Sequence, residues 1–320
     1  MTNKIIAVQG NNLNNLNPLT DTSIFLAKSG ENRGYKIFYY EPENLSIKNK
    51  KVFANGSFIK IDYSKKKFFK IIKKTHIDLS KVKFILVRQD PPFNLEYIST
   101  TYILDTIKNK VRVINNPTSI RNISEKLYSM KFINFMPDTI FTKKAEDILY
   151  FYKKYKKIIL KPIHSYSGND IVFINNKLNK KLILKFIKKH GHIMCQKFLP
   201  KIKFGDKRVF IINGKICGCI SRVPKAGSIL SNMSKGAKPK LIKLTKKEIK
   251  ISKIIAKDLV KEDIYFAGID FIDEKLNGDI NVTSPTGLKT FFDLSNINLA
   301  DYFWKGLRAW KISPISKKVL

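Results

Sequence analysis

Residues 268–287 read Gly-Ile-Asp-Phe-Ile-Asp-Glu-Lys-Leu-Asn-Gly-Asp-Ile-Asn-Val-Thr-Ser-Pro-Thr-Gly, and no other stretch constrains the chain as much. Their apolar residues spell two short strands, with Asp273 to Gly278 as the polar turn between them. Side chains alternate along a strand, so Asp279 and Asn281 share one face of the second. If the two strands pair as a hairpin, Asp270 reaches that face from the first. Three oxygen donors in a small volume suit a hard cation, because Mg2+ takes oxygen ligands, commonly one or two carboxylates plus substrate phosphates. An ordinary hairpin with solvated carboxylates has the same pattern, so the rest of the chain has to decide.

The elements ahead of the hairpin follow an α/β order. Lys4–Val8 is an apolar strand running into a polar loop, Thr22–Gly34 reads as a helix and Lys36–Tyr40 as a second strand. Lys51–Tyr63 reads as a hairpin turning at Asn55-Gly56, a dipeptide suited to tight turns. Phe84–Val87 is wholly apolar, as in a buried parallel sheet, and Arg88-Gln-Asp-Pro-Pro-Phe93 follows it. Ligands of α/β folds gather at such strand ends. No G-x-G-x-x-G follows the first strand, so a dinucleotide fold has no support.

Tyr97–Asn109 reads as a helix and Val111–Ile114 as a strand, after which Asn115-Asn116-Pro117 breaks the chain. Ser119–Lys126 leads into a helix, and a domain boundary falls here, giving a first domain of residues 1–122. Residues 123–200 form a smaller α/β lobe. Its strands lie near Thr139–Thr142, Ile158–Lys161, Ile171–Ile174 and Ile193–Phe198, its helices near Ala145–Tyr155 and Asn179–His190. In residues 201–320, strands at Arg208–Ile212 and Lys215–Arg222 are joined by Asn213-Gly214. A polar loop over 225–240, a helix at Lys246–Glu262 and the hairpin follow, then a helix over Leu299–Trp310 and a frayed end from Lys311.

Composition narrows the function. A net charge of +36 invites a nucleic-acid reading, yet only seven of the 61 basic residues are arginine. Phosphate and base-edge recognition lean on arginine's two-pronged fork, and the lysines here are spread through every segment beside Ile, Asn and Tyr. A drift of the whole sequence explains the charge better than a nucleic-acid surface does. The retained arginines carry more information: Arg88, Arg121, Arg208 and Arg222 lie in segments that stand out on other grounds. No apolar run is long enough for a membrane span, and the start MTNKIIAVQGNN lacks the marks of a signal peptide. Three cysteines make no disulfide framework, so a soluble cytoplasmic protein is expected. His190, His192, Cys195, Cys217 and Cys219 do not have the spacing of a common structural zinc site.

Lys161 ends a buried strand just before Pro162, a costly place for a cation without an anionic partner. Lys126 is a second candidate for a phosphate contact. Between them in role lies His164-Ser-Tyr-Ser-Gly-Asn-Asp170, small and polar like a loop that covers phosphates, though Gly168 is its one glycine. Arg208 and Arg222 would stand on adjacent strands facing the hairpin. Two guanidinium groups beside a Mg2+ site suit the charge that builds up in phosphoryl transfer.

The chain resembles the bacterial glutathione synthetases of the ATP-grasp superfamily. The likeness runs through NLNPLTDTSIF (15–25), RQDPPF (88–93), SIRNISEKL (119–127), IILKP (158–162), CQKFLP (195–200), GDKRVF (205–210), SRVP (221–224), SNM (231–233), GID (268–270) and INVTSPTG (280–287). It implies an ATP-grasp fold with a Rossmann-like domain at 1–122, a lid lobe at 123–200 and a C-terminal lobe bearing the metal and substrate site. It also implies a reaction in which ATP phosphorylates the cysteinyl carboxylate of γ-glutamylcysteine and glycine attacks the acyl phosphate. By position, Lys126 and Lys161 would hold ATP phosphates, Gln196, Lys197, Phe198 and Leu199 would be the adenine hinge, and Asp206 would lie near the ribose. Asp270, Asp279 and Asn281 would bind Mg2+, with Mn2+ as a substitute. Arg208 and Arg222 would steady the transferring group, Arg88 would grip a dipeptide carboxylate, and Ser284, Pro285, Thr286 and Gly287 would line the glycine end, with Asn281 beside them. A homo-oligomer is implied, the family often being tetrameric.

Three positions depart from the family pattern: the glycine-poor 164–170 loop, Leu230 where an arginine is usual, and Asp279 for a glutamate, with Gly278 inserted ahead of it. The insertion is expected to re-aim the strand. A ligase for another acceptor pair, or a weakened nucleotide-binding relative, are the alternatives.

Overall fold

The computed structural model describes residues 4–176 and 178–309. The first lobe holds β1 (Ile5–Gln9), α1 (Thr22–Glu31), β2 (Lys36–Tyr40), β3 (Leu45–Lys48), β4 (Lys51–Ile61), β5 (Phe69–Asp78), β6 (Phe84–Val87), α2 (Leu95–Asp105), β7 (Arg112–Ile114) and α3 (Pro117–Asn122). Strands β2, β1, β6 and β7 lie side by side and parallel, which is why their sequences are apolar runs buried on both faces. Asp21 starts α1 by accepting a hydrogen bond from the Ile24 amide, and Asn94 starts α2 in the same way from Tyr97.

The expected hairpin at Asn55-Gly56 does not form. β4 runs straight through both residues and pairs with β2 on one side and β5 on the other. Gly56 is there for close approach: a Cβ would collide with the Tyr39 carbonyl oxygen and the Phe38 ring. The chain turns further on, between β4 and β5, and β3 and β5 extend the parallel core into a seven-stranded mixed sheet.

The second lobe is a four-stranded antiparallel sheet in the order β10-β9-β11-β8, built from β8 (Thr139–Thr142), β9 (Ile158–Pro162), β10 (Val172–Ile174) and β11 (Ile193–Lys197). It packs on α4 (Ala145–Tyr155) and α5 (Lys180–His190). The third lobe is a five-stranded antiparallel sheet in the order β14-β13-β12-β15-β16. Its strands are β12 (Asp206–Ile212), β13 (Lys215–Val223), β14 (Lys238–Leu241), β15 (Phe266–Ile272) and β16 (Lys275–Asn281). Three helices complete it: α6 (Lys246–Lys261), α7 (Leu288–Ser295) and α8 (Leu299–Ala309). The segment expected as a plain loop over 225–240 carries a short 3-10 turn at Met233–Lys235 and the start of β14. Lys126 sits on a turn, not in a helix, and a 3-10 stretch at Tyr128–Phe135 follows it. Trp310 and the end expected to fray, Lys311–Leu320, lie outside the described residues.

The β15–β16 hairpin is tighter than its sequence suggests. Its turn is Asp273-Glu274, both with positive φ (50° and 60°), as a two-residue hairpin turn of matching twist requires. Gly278 belongs to β16, not to the turn. The register pairs Ile269 with Ile280 and Phe271 with Leu276, so Asp270 alone stands against Asn277, Gly278 and Asp279. This is a bulge. Gly278 has φ +89°, and a Cβ there would lie 2.7 Å from the Met194 methyl and 3.0 Å from that of Met136.

The first and third lobes share one core, in which Ile6, Val8 and Leu26 pack with Phe210, Ile212, Phe266 and Trp304. Asn115 ties them with hydrogen bonds. Its Nδ2 donates to the carbonyls of Phe266 and Val282, both at 2.7 Å, and its Oδ1 accepts from the amides of Tyr265 and Phe266 at 3.0 and 2.8 Å. All four partners are main-chain groups of the third lobe. Truncation would leave buried amides and carbonyls unpaired, at about 1–3 kcal/mol each when no water reaches them. We expect Asn115→Ala to lower stability by roughly 3 kcal/mol in urea denaturation. A loss below about 1 kcal/mol would show that the tie is dispensable.

Candidate active site

A cleft of about 640 Å3 opens between the second and third sheets and extends to the loops of the first lobe. The five-stranded sheet forms its floor. Cross-strand register places Asp206 beside Arg222 and Arg208 beside Asp270, so opposite charges alternate across three neighbouring strands. Arg208 forms a two-pronged pair with Asp270, Nε to Oδ1 at 2.5 Å and Nη2 to Oδ2 at 2.8 Å. Arg222 reaches the same Oδ2 at 3.0 Å and forks onto both oxygens of Asp206. The four residues are 5% exposed or less.

Burial opposes charge on Asp270, but Arg208 and Arg222 outweigh it and hold the carboxyl down at about 2. Burial likewise works against the charge on Arg222, and Asp206 and Asp270 overcome it, pushing its pKa up.

The wall opposite carries the lysines. Lys161 leaves β9 and Lys126 leaves its turn, and both are 4% exposed. Asp279 lies between them, 3.6 Å from Lys126 Nζ and 3.7 Å from Lys161 Nζ. Burial lowers the pKa of Lys161, Asp279 opposes that shift and Lys126 adds to it. Lys126 Nζ also donates to the Ser165 carbonyl at 2.6 Å, which ties it to the 164–170 loop. Gln196, Lys197, Phe198 and Leu199 line the same cleft at the end of β11, with Phe198 packed on Phe173 at 4.2 Å between ring centroids.

Most of the side chains singled out in the sequence therefore meet in one place. Lys126, Lys161, Asp206, Arg208, Arg222, Asp270, Asp279 and Asn281 all line the cleft, as do Ser284, Thr286 and Gly287. Arg88 and Pro285 are not among its lining residues. Arg88 lies behind, with Nη2 on the Pro285 carbonyl at 2.8 Å and Nε on Ser23 Oγ at 3.1 Å, so it braces the 284–287 segment. The amides of Gly287 and Leu288 donate to Thr22 Oγ1 at 3.0 and 3.2 Å, completing that brace. Asp206 faces Arg222 and also accepts a hydrogen bond from Ser231 Oγ at 2.6 Å, which anchors the 228–234 loop. Gly168 meets Asn232 where the two loops close over the cleft.

The three expected metal donors are present but not equally disposed. Asn281 Nδ2 donates to the Gly268 carbonyl at 3.1 Å and lies 3.4 Å from Asp270 Oδ2, leaving the amide oxygen as the atom a cation would take. The bulge turns Asp279 toward the lysines. Among the described residues no three His, Cys, Asp or Glu side chains form a metal cage, so the set is two carboxylates and an amide. An ionised Asp270, a second carboxylate and an amide oxygen facing the lysine-lined cleft fit Mg2+ shared with a phosphorylated substrate.

Sequence reading missed Glu125, Asn277, Thr283 and Ser231. Glu125 lines the cleft beside Lys126, and its carboxylate accepts from Thr283 Oγ1 at 2.7 Å. Burial pushes its pKa up, against the pull of Thr283 and Lys126. Its place in the SEK triplet was the one available signal.

Solved structures share the fold. An ATP-grasp ligase, PsnB, superposes with a TM-score of 0.62 at 13% identity, over 96% of this chain and all (100%) of that one. D-cycloserine synthetase gives a TM-score of 0.65 at 10% identity, over 95% and 99% of the two chains. PsnB has also been solved with Mg and ADP, at a TM-score of 0.60, 11% identity and 96% and 99% coverage. The fold is that of the ATP-grasp class.

Sequence comparison narrows the class. The model for the N-terminal domain of prokaryotic glutathione synthetase matches residues 5–121, and that for its ATP-grasp domain matches residues 125–296. Glutathione synthetase of Mesorhizobium japonicum is 33% identical over 304 residues, 93% of this chain and 96% of the relative. That of Buchnera aphidicola subsp. Acyrthosiphon pisum is 34% identical over 309 residues, 94% and 96% of the two chains. The chain belongs to the prokaryotic glutathione synthetase family.

The low pKa of Asp270 sets a pH dependence. It lies below that of an unfolded aspartate, near 4, so its ion pairs stabilise the fold fully above that pH and are lost as pH falls from about 4 through 2. We expect this group to cost the native state on the order of 2 kcal/mol over that window. Asp270→Asn, less stable at neutral pH, should decline less steeply in acid. Equal acid slopes in chemical denaturation would contradict the pairing.

Proposed function

We propose that the chain joins γ-glutamylcysteine to glycine at the expense of ATP, giving glutathione, ADP and phosphate. The observation that carries this reading is the facing of two buried lysines and a buried arginine–carboxylate array across one cleft, in a chain of the glutathione synthetase family. Lys126 and Lys161 are placed to neutralise the polyphosphate, and Gln196–Leu199 to bound the adenine. Asp206, drawn onto Arg222, acts by aiming that guanidinium rather than by touching the ribose. Asp270, Asp279 and Asn281 would hold Mg2+, or Mn2+ in its place. When bound, the ion offsets phosphate charge and orients the oxygens of the transferring group.

The dipeptide carboxylate attacks the terminal phosphorus of ATP, and ADP departs. Arg208 and Arg222 supply preorganised donors to the oxygens on which charge builds. The glycine amine then attacks the acyl carbon, and phosphate leaves with the former carboxylate oxygen. Ser284, Thr286 and Gly287, braced by Arg88 and Thr22, form the end where the amine enters. Arg88 supports substrate through that brace. The two loops that meet at Gly168 and Asn232 exclude water from an intermediate that would otherwise hydrolyse.

The same reading divides the chain into 1–122, 123–200 and 201–320; the first of these boundaries falls where the two family matches adjoin. It also carries a homo-oligomer working in the cytoplasm, a compartment suited to three free thiols. Among the described residues no helix is long and apolar enough to cross a membrane.

Purified protein supplied with ATP, Mg2+, γ-glutamylcysteine and glycine should release ADP and glutathione in equal amounts. ADP release with another amine but not glycine would overturn the substrate assignment, and ATP binding without turnover would overturn the activity. Arg208→Ala should lower kcat by about a hundredfold or more while ATP still binds. Turnover within a few-fold of the unaltered protein would remove Arg208 from the role given to it.

A further inference from the structure

The β16 bulge has a consequence for Lys161. Its Nζ donates to two oxygens of one residue, the main-chain carbonyl of Asn277 at 2.7 Å and the side-chain Oδ1 at 3.0 Å. Asn277 stands outside the register pairs of the hairpin, in the three-against-one stretch opposite Asp270. Gly278 makes that stretch feasible, because its φ of +89° would strain any residue with a side chain, and a Cβ there would also crowd the Met194 and Met136 methyls.

A buried ammonium needs partners, yet a carboxylate in hydrogen-bond contact would cancel the charge a phosphate site depends on. Asn277 offers two neutral oxygens instead. Asp279, the nearest carboxylate to Lys161, stays at 3.7 Å, beyond a good hydrogen bond. An ammonium has three donors, and with two on Asn277 the third is left for a ligand in the cleft.

We propose that Asn277 is a positioning residue for nucleotide binding: it fixes the direction of the Lys161 ammonium and keeps its charge available to a phosphate of ATP. The inference rests on Lys161 being a phosphate ligand, as proposed above. Its side-chain oxygen is the part a substitution can remove, since the main-chain carbonyl remains in every variant.

The test is the dissociation constant of ATP, measured by calorimetry in the presence of Mg2+, together with KM for ATP and kcat. The proteins compared are unaltered, Asn277→Ala, Asn277→Ser, Asn277→Asp and Lys161→Ala. Each is first checked for an unchanged circular dichroism spectrum. Asn277→Ala should weaken ATP binding about tenfold, the scale of one hydrogen bond to a charged group, and raise KM while kcat at saturating ATP stays within about twofold. Asn277→Ser, which restores an oxygen, should recover most of the loss. Asn277→Asp should bind ATP more weakly than Asn277→Ala, because its carboxylate competes with phosphate for Lys161. If Lys161→Ala loses ATP binding and Asn277→Ala does not, the inference fails and the reading of Lys161 stands. If Lys161→Ala binds ATP normally, both fail. A fall in kcat equal to the loss in binding, without recovery in Asn277→Ser, would make Asn277 a support of the hairpin only and would overturn the proposal.

Discussion

One carboxylate shared by two arginines holds the floor of this cleft together. Asp270 receives Arg208 on both oxygens and Arg222 on one, and Arg222 is steadied in turn by Asp206. Charges this deeply buried are tolerated only when each has its partner, and removing one leaves the others uncompensated at a cost of several kcal/mol. The pairing also depends on strand register. A slip of one residue in β12 would send Asp206 and Arg208 to the opposite face, where α6 packs. The charged array and the antiparallel register therefore specify one another, and the Asn213-Gly214 turn joins β12 to β13 at one end of that pairing.

The opposite wall has a different logic. Lys126 and Lys161 have no carboxylate in close contact: Asp279 stands off from both by more than 3.5 Å, and the nearer partners are neutral oxygens of Ser165 and Asn277. The floor is charge-balanced within itself, and the wall keeps an excess of positive charge directed into the cleft. A polyphosphate ligand supplies the missing negative charge, and its terminal group then lies against donors already held in place. Preorganisation of this kind removes the reorganisation that water would need during the reaction.

Much of this was legible in the sequence, for definable reasons. Buried parallel strands such as Phe84–Val87 write apolar runs, and the alternation of Asp279 and Asn281 put that pair on one face. What escaped depended on contacts distant in the chain. Asn55-Gly56 has the composition of a turn, but its glycine answers to the Tyr39 carbonyl on a neighbouring strand. Gly278 likewise read as a turn residue, whereas it lies inside β16 with φ +89°, in the bulge opposite Asp270. Glu125 and Asn277 gave no periodic signal because the chemistry each supports, at Thr283 and Lys161, lies 158 and 116 residues away. The resemblance gave Arg88 a dipeptide carboxylate, and the tertiary fold adds hydrogen bonds to Ser23 and Pro285 that no local pattern signals.

Phosphoryl transfer to a carboxylate held between floor and wall is the central step. Its most direct test is the fate of oxygen. γ-Glutamylcysteine labelled with 18O in both oxygens of the cysteinyl carboxylate should yield, with ATP and glycine, inorganic phosphate carrying one 18O per turnover, detected by mass spectrometry or by the shift of its 31P resonance. Phosphate free of the label, formed while glutathione accumulates, would contradict an acyl phosphate and with it the role given to the Arg208–Asp270–Arg222 array.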